Sequence, residues 1–274
     1  MSELTPSPNI WFASILLLPL LAIIYFERLA MIKQSLLALL RMLIQLSLIG
    51  IYLEFLFQLN HWGINLLWLA IMLTTANLQI LKRSGLSKQF FPAVFASLFI
   101  GCFGSGVIIL LALMPENLFQ SIASTLSDTT SNKSWQTVFD ARQMIPLTGM
   151  ILGNSLQANL LALERFYSEI RQNPQKLYER VMLGGTLNQA LRPWRQSALK
   201  VALAPTLATM ATLGIVFLPG LMTGQILAGI DPFVAIQYQI LIMLGIFSSI
   251  TISCWCSLKL SQKIAFDSMN RFCQ

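Results

Sequence analysis

Residues 90–114 read FFPAVFASLFIGCFGSGVIILLALM, an unbroken apolar stretch with no charged side chain. A helix rises about 1.5 Å per residue, so this stretch outspans the roughly 30 Å hydrocarbon core of a bilayer. The rest of the chain agrees with that reading. Of its 274 residues, 55% are hydrophobic and only 11% are Asp, Glu, Lys or Arg, whereas soluble domains carry about a quarter charged residues. That composition excludes a soluble protein. The surplus of 18 basic over 11 acidic residues, a net charge of +7, would suggest nucleic acid in a soluble chain. In a membrane protein the placement of the charges matters more than their sum, and no nucleic-acid partner is expected.

Working outward from residues 90–114, apolar blocks recur at about 10–26, 36–57, 62–81, 143–163, 198–218 and 233–258. With 90–114 they make seven, and the expected fold class is all-α, a polytopic multi-pass protein whose residues 1–274 form a single transmembrane domain. The second block carries Arg41 and Glu54 near its ends. The fifth is interrupted by Pro146, Gly149, Gly153, Asn154, Gln157 and Asn159. A segment that polar must face protein or water rather than lipid, which makes it a place to look for function.

Seven crossings put the termini on opposite sides, and the basic residues choose between the two orientations. Only Lys133 and Arg142 fall in one set of connections; the other 16 of the 18 basic residues fall in the alternate set. The amino terminus is therefore expected outside and the carboxyl terminus in the cytoplasm. With Glu54 placed outside, the cytoplasmic side holds 16 basic and 5 acidic residues against 2 and 6 on the outer side. The segment before the first block has no basic n-region, and the block ends on Tyr25, Phe26 and Glu27 rather than on small residues, so it reads as a true span and not as a cleaved signal.

Cys102 mid-membrane, Cys254 and Cys256 near the end of the last block and Cys273 in the tail imply no disulfide framework; the C-x-C pair could hold a soft metal, but positions two apart on a helix diverge, and Cys254 and Cys256 read as packing residues. From Pro115 to about Arg142 the chain is rich in Ser, Thr, Asn and Asp and reads as an outer loop. On the cytoplasmic side, Glu164 to Ser197 is the sizeable element. Asn173 before Pro174 marks a helix start, Gly184 and Gly185 a stop, Thr186 with Gln189 a capping box, and Pro193 after Arg192 a break. Leu177, Val181 and Met182 recur at helical spacing and offer an apolar face to a cytoplasmic partner. The same element could instead be a basic connector on membrane lipid, with Arg180, Arg192, Arg195 and Lys200 as its charges.

Longer motifs add a resemblance. The run Met144-Ile-Pro-Leu-Thr-Gly-Met-Ile-Leu-Gly-Asn154 resembles the I-P-L-x-G-M-I-x-G-N signature of the bacterial iron-export permease family typified by FetB, which has plant relatives of the aluminium-sensitive type. Gly214-Ile-Val-Phe-Leu-Pro-Gly-Leu-Met-Thr-Gly-Gln-Ile-Leu-Ala-Gly229 is similar to that family's second signature, with Leu221 in place of a Met. Asp231, Pro232, Tyr238 and Gln239 continue the likeness, and Arg41 with Gln45 resembles an R-x-x-x-Q-L motif of the second span. The resemblance implies a permease subunit of an ATP-binding-cassette exporter in the cell inner membrane, working as a homodimer with a cytoplasmic ATPase and moving iron or another metal cation outward. Leu183, Gly184, Gly185 and Thr186, with Arg192 beside them, then look like a divergent L-G-A-S/T turn of a coupling helix and become the expected docking residues, Gly185 standing where the family has Ala. No G-x-x-x-x-G-K-[ST] phosphate loop occurs in the sequence, so ATP is expected to be used by the partner, and no cofactor is expected on this chain.

The metal ligands are unknown. His61, in the turn Asn60-His61-Trp62-Gly63, reads as an interfacial residue. The substrate pathway is assigned to Glu54, Asn154, Gln157 and Gln225, whose bland role is snorkelling for Glu54 and interhelical hydrogen bonding for the amides. Gly149 with Gly153, and Gly220 with Gly224, are G-x-x-x-G pairs beside Pro146 and Pro219, which are expected to break regular helix; packing or gating is their expected task. A regulatory or assembly membrane protein with no transport of its own is the alternative function.

Overall fold

The computed structural model describes residues 15, 17–27, 32–59, 62–112 and 141–266. His61, nearly all of the expected outer loop, the start of the first apolar block and Cys273 lie outside the described residues. The described residues are helical, with one isolated bridge between Leu213 and Phe217 and no strand.

The chain divides at Leu59 into two units. The first holds α1, Leu17–Phe26, and α2, Ile32–Leu59. Arg41, Gln45 and Glu54 all lie on α2 and are exposed. In the second unit, α3 is Trp62–Ser84, a 3-10 turn occupies Lys88–Phe90, and α4 and α5 are Phe91–Ala112 and Ala141–Gln172. After them come α6, Pro174–Met182, α7, Leu187–Ala190, α8, Arg192–Thr212, α9, Gly220–Leu227, and α10, Pro232–Ala265.

Among the described residues four helical stretches are long and apolar enough to cross a bilayer: Ile32–Glu54, Gly63–Ser84, Lys88–Leu110 and Pro232–Ala265. They correspond to the second, third, fourth and seventh blocks. At 32 and 21 residues α5 and α8 are as long, but their sequences are more polar.

The second unit is built on α4 and α10. Along α10 the small residues Gly245, Ser249, Ser253, Ser257, Ser261 and Ala265 recur every four positions and are all buried. On α4, Ala93, Ser97, Gly101 and Ser105 do the same. These two stripes let the backbones touch: a Cβ added at Gly101 would lie 2.7 Å from Ser253 Cβ and 2.8 Å from the Ser249 carbonyl oxygen. One added at Gly245 would collide with the Ile109 side chain. Such approach is how helices gain packing energy in lipid, where apolar surface alone drives no association.

Helix α5 closes over this pair with a polar seam. Ser155 and Ser249 hydroxyls meet at 2.9 Å, and the Ser249 hydroxyl also reaches Cys102 Sγ at 3.5 Å. Asn159 donates to Ser253 Oγ at 2.9 Å and to the Ser155 carbonyl at 2.8 Å, and accepts from the Ser257 hydroxyl at 2.6 Å. Asn77 of α3 donates to the Phe91 carbonyl at 2.9 Å, fixing α3 against α4. Around the seam pack Ile80, Leu98, Ile151, Leu163, Phe166, Ile250 and Leu258, all fully buried. Cys254 belongs to this core and Cys256 is half-buried; both are free thiols.

Several expected boundaries move. Pro146 lies inside α5 and does not interrupt it: having no N–H, it costs the ladder only the bond to the Arg142 carbonyl. The fifth helix also continues past residue 163 to Gln172, since helical hydrogen bonds need no apolar surroundings, and the first part of the 164–197 element is its extension. The sixth helix stops at Thr212 rather than near 218. Gly214 there has φ +88°, and its N–H bonds the Phe217 carbonyl at 2.9 Å, turning the apolar run Ile215-Val216-Phe217-Leu218 into a loop.

Gly101→Val should lower the thermal unfolding temperature of the full-length chain in detergent, by the equivalent of about 1–3 kcal/mol for an overpacked contact. Gly104→Val, where an added Cβ meets nothing within 4 Å, should leave it within a degree or so, the usual tolerance of a surface change.

Candidate functional site

Two places in the second unit gather the residues the sequence singled out, one at each end of α5 and α8. The first is a cavity of about 370 Å³ between α5, α8, α10 and the loop ending at Pro219. Met150, Asn154, Gln157, Ala158 and Leu161 line it from α5, Ala202, Pro205, Thr206 and Thr209 from α8, and Gln239, Met243 and Ile246 from α10. Leu213, Phe217 and Pro219 close the end. Asn154 and Gln157 on the α5 wall lower the hydropathy of α5, while Arg192, Arg195 and Lys200 at the turn end lower that of α8.

Each wall has a local cause. Asn154 donates back to the Met150 carbonyl at 2.8 Å, which keeps it on α5 with Oδ1 as its acceptor. Pro205 sits inside α8 and, having no N–H, removes the ladder bond to the Val201 carbonyl at the level of the cavity. Thr209 returns its hydroxyl to the Pro205 carbonyl at 3.0 Å. Gln239 is 3% exposed, and its Oε1 is buried with no hydrogen-bond partner among the described residues. A buried carbonyl left unsatisfied costs about 1–3 kcal/mol, so such a group calls for an explanation.

Of the expected pathway residues, Asn154 and Gln157 line this cavity. Gln225 does not; it lies on α9 with a buried, unpartnered Oε1. Glu54 belongs to the first unit. Pro219 caps α9 and accepts from the Thr223 N–H and hydroxyl at 2.9 and 3.0 Å, so it does end regular structure. Within the chain, a Cβ added at Gly153, Gly220 or Gly224 would meet nothing within 4 Å, and one at Gly149 would meet only Met72 Cε at 3.3 Å. Asp231 accepts from the Phe233 N–H at 2.7 Å and Pro232 takes the first turn of α10, which accounts for the Asp-Pro of the second motif.

The second place is the α6–α7 turn, which joins the other ends of α5 and α8. Pro174 opens α6, although Asn173 makes no side-chain cap bond. Gly184 has φ +87° and its N–H bonds the Val181 carbonyl at 3.1 Å. At Gly185 a Cβ would lie 2.9 Å from the Arg180 carbonyl oxygen, a physical reason for glycine where the resembling motif has alanine. Thr186 and Gln189 form the expected capping box, and α8 starts at Arg192 with Pro193 in its first turn.

The apolar face expected on α6 divides. Leu177 is buried and Val181 packs on the core, because α6 lies on the unit rather than standing away from it. Met182 and Leu183 are each 87% exposed. Polar bonds fasten the turn: Arg195 donates to Asn188 at 2.9 Å and to Gln262 of α10 at 3.1 Å, and Lys259 donates to Asn188 at 3.0 Å. Burial and the neighbouring Arg192 pull the Arg195 guanidinium below its usual pKa. Arg180 stacks over the Trp194 ring at 5.1 Å, the Arg165–Glu169 pair closes at 2.6 Å, and Ser197 donates to Glu169 at 3.0 Å. Arg192 is exposed. Among the described residues no group of three His, Cys, Asp or Glu side chains is placed to hold a metal ion.

A family model described as "Uncharacterised protein family (UPF0014)" matches residues 8–266. The chain belongs to the UPF0014 family. Members include the UPF0014 membrane protein YjkA of Bacillus subtilis, 33% identical over 223 residues that cover 81% of this chain and 80% of that protein. The chain is also 29% identical over 227 residues to the "Probable iron export permease protein FetB" of Escherichia coli, covering 83% and 79% of the two chains. Protein ALUMINUM SENSITIVE 3 of Arabidopsis thaliana is 28% identical over 252 residues, 89% and 84% of the respective lengths. The relationship read from the two signature motifs therefore extends over most of the chain, and this UPF0014 member is a membrane protein. No solved structure matches it.

Sequence reasoning missed two lining residues of this UPF0014 cavity as site residues. Gln239 entered only as a letter in a motif, and Pro205 not at all; a proline mid-helix, with threonines one and four positions on, was the available signal. Gln239→Leu should match or exceed the wild type in thermal stability, since it removes an unsatisfied buried carbonyl. If transport activity falls while the unfolding temperature holds, the amide serves function; a drop in both would make it structural.

Proposed function

We propose that this chain is the permease subunit of an ABC-type exporter that moves iron or another metal cation out of the cytoplasm, driven by ATP hydrolysis in a separate subunit. The observation that carries this reading is mechanical. The same two helices, α5 and α8, form walls of the polar cavity at one end and are joined through the α6–α7 turn at the other. A force applied to that turn acts on the cavity walls. The exposed Met182 and Leu183, beside the left-handed Gly184, give a partner a small apolar knob to grip.

The name of the FetB relative supports export of iron, and the excess of basic residues in one set of connections supports a turn facing the cytoplasm. On this reading the chain crosses the inner membrane seven times, with its amino terminus outside, and two copies each dock one ATPase. Gly153, Gly220 and Gly224, whose faces are open within the chain, are available to the second copy. Leu183, Gly184, Gly185, Thr186 and Arg192 form the docking surface, while lipid headgroups neutralise the surrounding Lys and Arg. Hydrolysis then switches α5 and α8 between two packed arrangements, opening the cavity to alternate sides.

Inverted vesicles bearing this chain and an ABC-type ATPase that co-purifies with it provide the test. ATP-dependent accumulation of iron is the expected result, and absence of ATP-dependent flux for every metal tried would identify a regulatory or assembly protein instead. Leu183→Asp should lower both co-purification of the ATPase and coupled flux at least about tenfold, as loss of an interface anchor does. Gly184→Trp should act in the same direction. Unchanged co-purification and coupling in both variants would move the docking site elsewhere.

A further inference from the structure

The α5–α8–α10 cavity combines a size with a chemistry. Its volume of about 370 Å³ corresponds to about a dozen waters, room for a metal ion inside a complete shell of ligands. Its polar groups are the amides of Asn154, Gln157 and Gln239 and the hydroxyls of Thr206 and Thr209; its soft groups are the thioethers of Met150 and Met243. Among the described residues no Asp, Glu, His or Cys lines it.

That donor set is wrong for a bare divalent cation. Such an ion gives up hydration when it enters a half-buried site and needs anionic or imidazole ligands in return; iron in particular is taken by imidazole and carboxylate. Uncharged amides cannot offset two charges, but they suit a surface of hydrogen-bond donors and acceptors. Gln239 is the strongest pointer, because its buried Oε1 lacks a partner among the described residues; a lone carbonyl dipole offsets little of a bare ion's charge but accepts fully from an N–H or O–H on a ligand. Asn154 spends one N–H on the Met150 carbonyl and keeps its second N–H and its Oδ1 acceptor. The groups are arranged to read the outside of a cargo.

We infer that the cargo enters this cavity as a charge-neutral metal complex whose coordination sphere is already filled by its own ligands, recognised through those ligands by Asn154, Gln157 and Gln239. The inference rests on the permease reading and names the form in which the metal travels.

The full-length chain in lipid nanodiscs is dialysed to equilibrium against tris(acetohydroxamato)iron(III), a neutral saturated complex, or against Fe²⁺ alone without oxygen, and bound iron is measured by mass spectrometry. Saturable binding of the neutral complex is expected, weakened about tenfold by Gln239→Leu through loss of a hydrogen bond, with no saturable binding of Fe²⁺ alone. Asn154→Asp and Gln239→Glu, which put a carboxylate on the wall, should weaken the complex and create a site for Fe²⁺. Asn154 is exposed on α5, so its variant keeps the test open if Gln239→Glu does not fold. Failure of the wild type to bind the neutral complex overturns the inference. So does Fe²⁺ binding to the wild type that is lost in Asn154→Leu, or ATP-driven uptake of Fe²⁺ alone by the vesicles; either leaves the permease reading standing. Absence of ATP-driven uptake of both iron forms and of every other metal tried removes that reading and the inference with it.

Discussion

The fold depends on how closely α4 and α10 can approach. In lipid, apolar surface is already solvated, so helix association must come from van der Waals contact and from polar bonds that hydrocarbon cannot replace. Gly101 against Ser249 and Ser253, and Gly245 against Ile109, bring the two backbones to a separation that no larger side chain would permit. Once α10 presents a row of serines at that distance, α5 can hydrogen-bond to it through Ser155 and Asn159, and α3 is held to α4 through Asn77. The core thus needs no charged residue, and every polar group of the Asn159 cluster has a partner within it.

This seam is fully paired along the middle of the unit but stops short of the α9 end, where Asn154, Gln157 and Gln239 replace serine-sized contacts with larger amides around open space. The contrast separates a static part from a part that can rearrange. Around Ala158, Ala162, Ala198 and Ala202 the facing sides of α5 and α8 are buried, and the Ser197–Glu169 bond ties the two helices together beyond them. Toward the α9 end Gly153, Asn154 and Gln157 are exposed. Closed, fully bonded helix pairs resist deformation, whereas a polar gap with one unpaired buried carbonyl has fewer bonds and contacts to break when its walls move.

How much of this was legible varies with the kind of signal. Charge-free apolar length located α3, α4 and α10, because a bilayer imposes a minimum span that composition cannot disguise. Punctuation located the α6–α7 turn, since Pro174, Gly184, the Thr186–Gln189 box and Pro193 each act through local backbone chemistry. The seam was not legible. Four serines at fourfold spacing look like interruptions in an apolar run, and they become an interface only when a second helix supplies glycine opposite them. The two G-x-x-x-G pairs carried the more familiar pattern yet, among the described residues, make no close contact beyond Gly149 with Met72. The loop after Thr212 was hidden for the converse reason: Ile215, Val216, Phe217 and Leu218 are apolar enough to continue a span, and only the left-handed turn at Gly214 ends it. The cavity was half legible, because Asn154 and Gln157 break an apolar block conspicuously while Gln239 shares the start of an otherwise apolar one with Gln237, and nothing in the sequence separates the two.

Pro205 joins these strands into one physical account of how the unit could work. At its level α8 lacks a ladder bond, so the helix bends there at less cost than anywhere else along its length. Below that point α8 is anchored by Arg195 to α7 and α10, and by Ser197 to α5. Above it α8 faces the cavity through Thr206 and Thr209 and runs into the Gly214 turn. A displacement delivered through the α6–α7 turn would therefore reach the proline through a stiff lever and be released as motion of the wall opposite Asn154 and Gln239. On the permease reading, stiffness near the turn and compliance at the cavity are what a remote ATPase would need to move a cargo site, and the residues supplying each lie on a single helix.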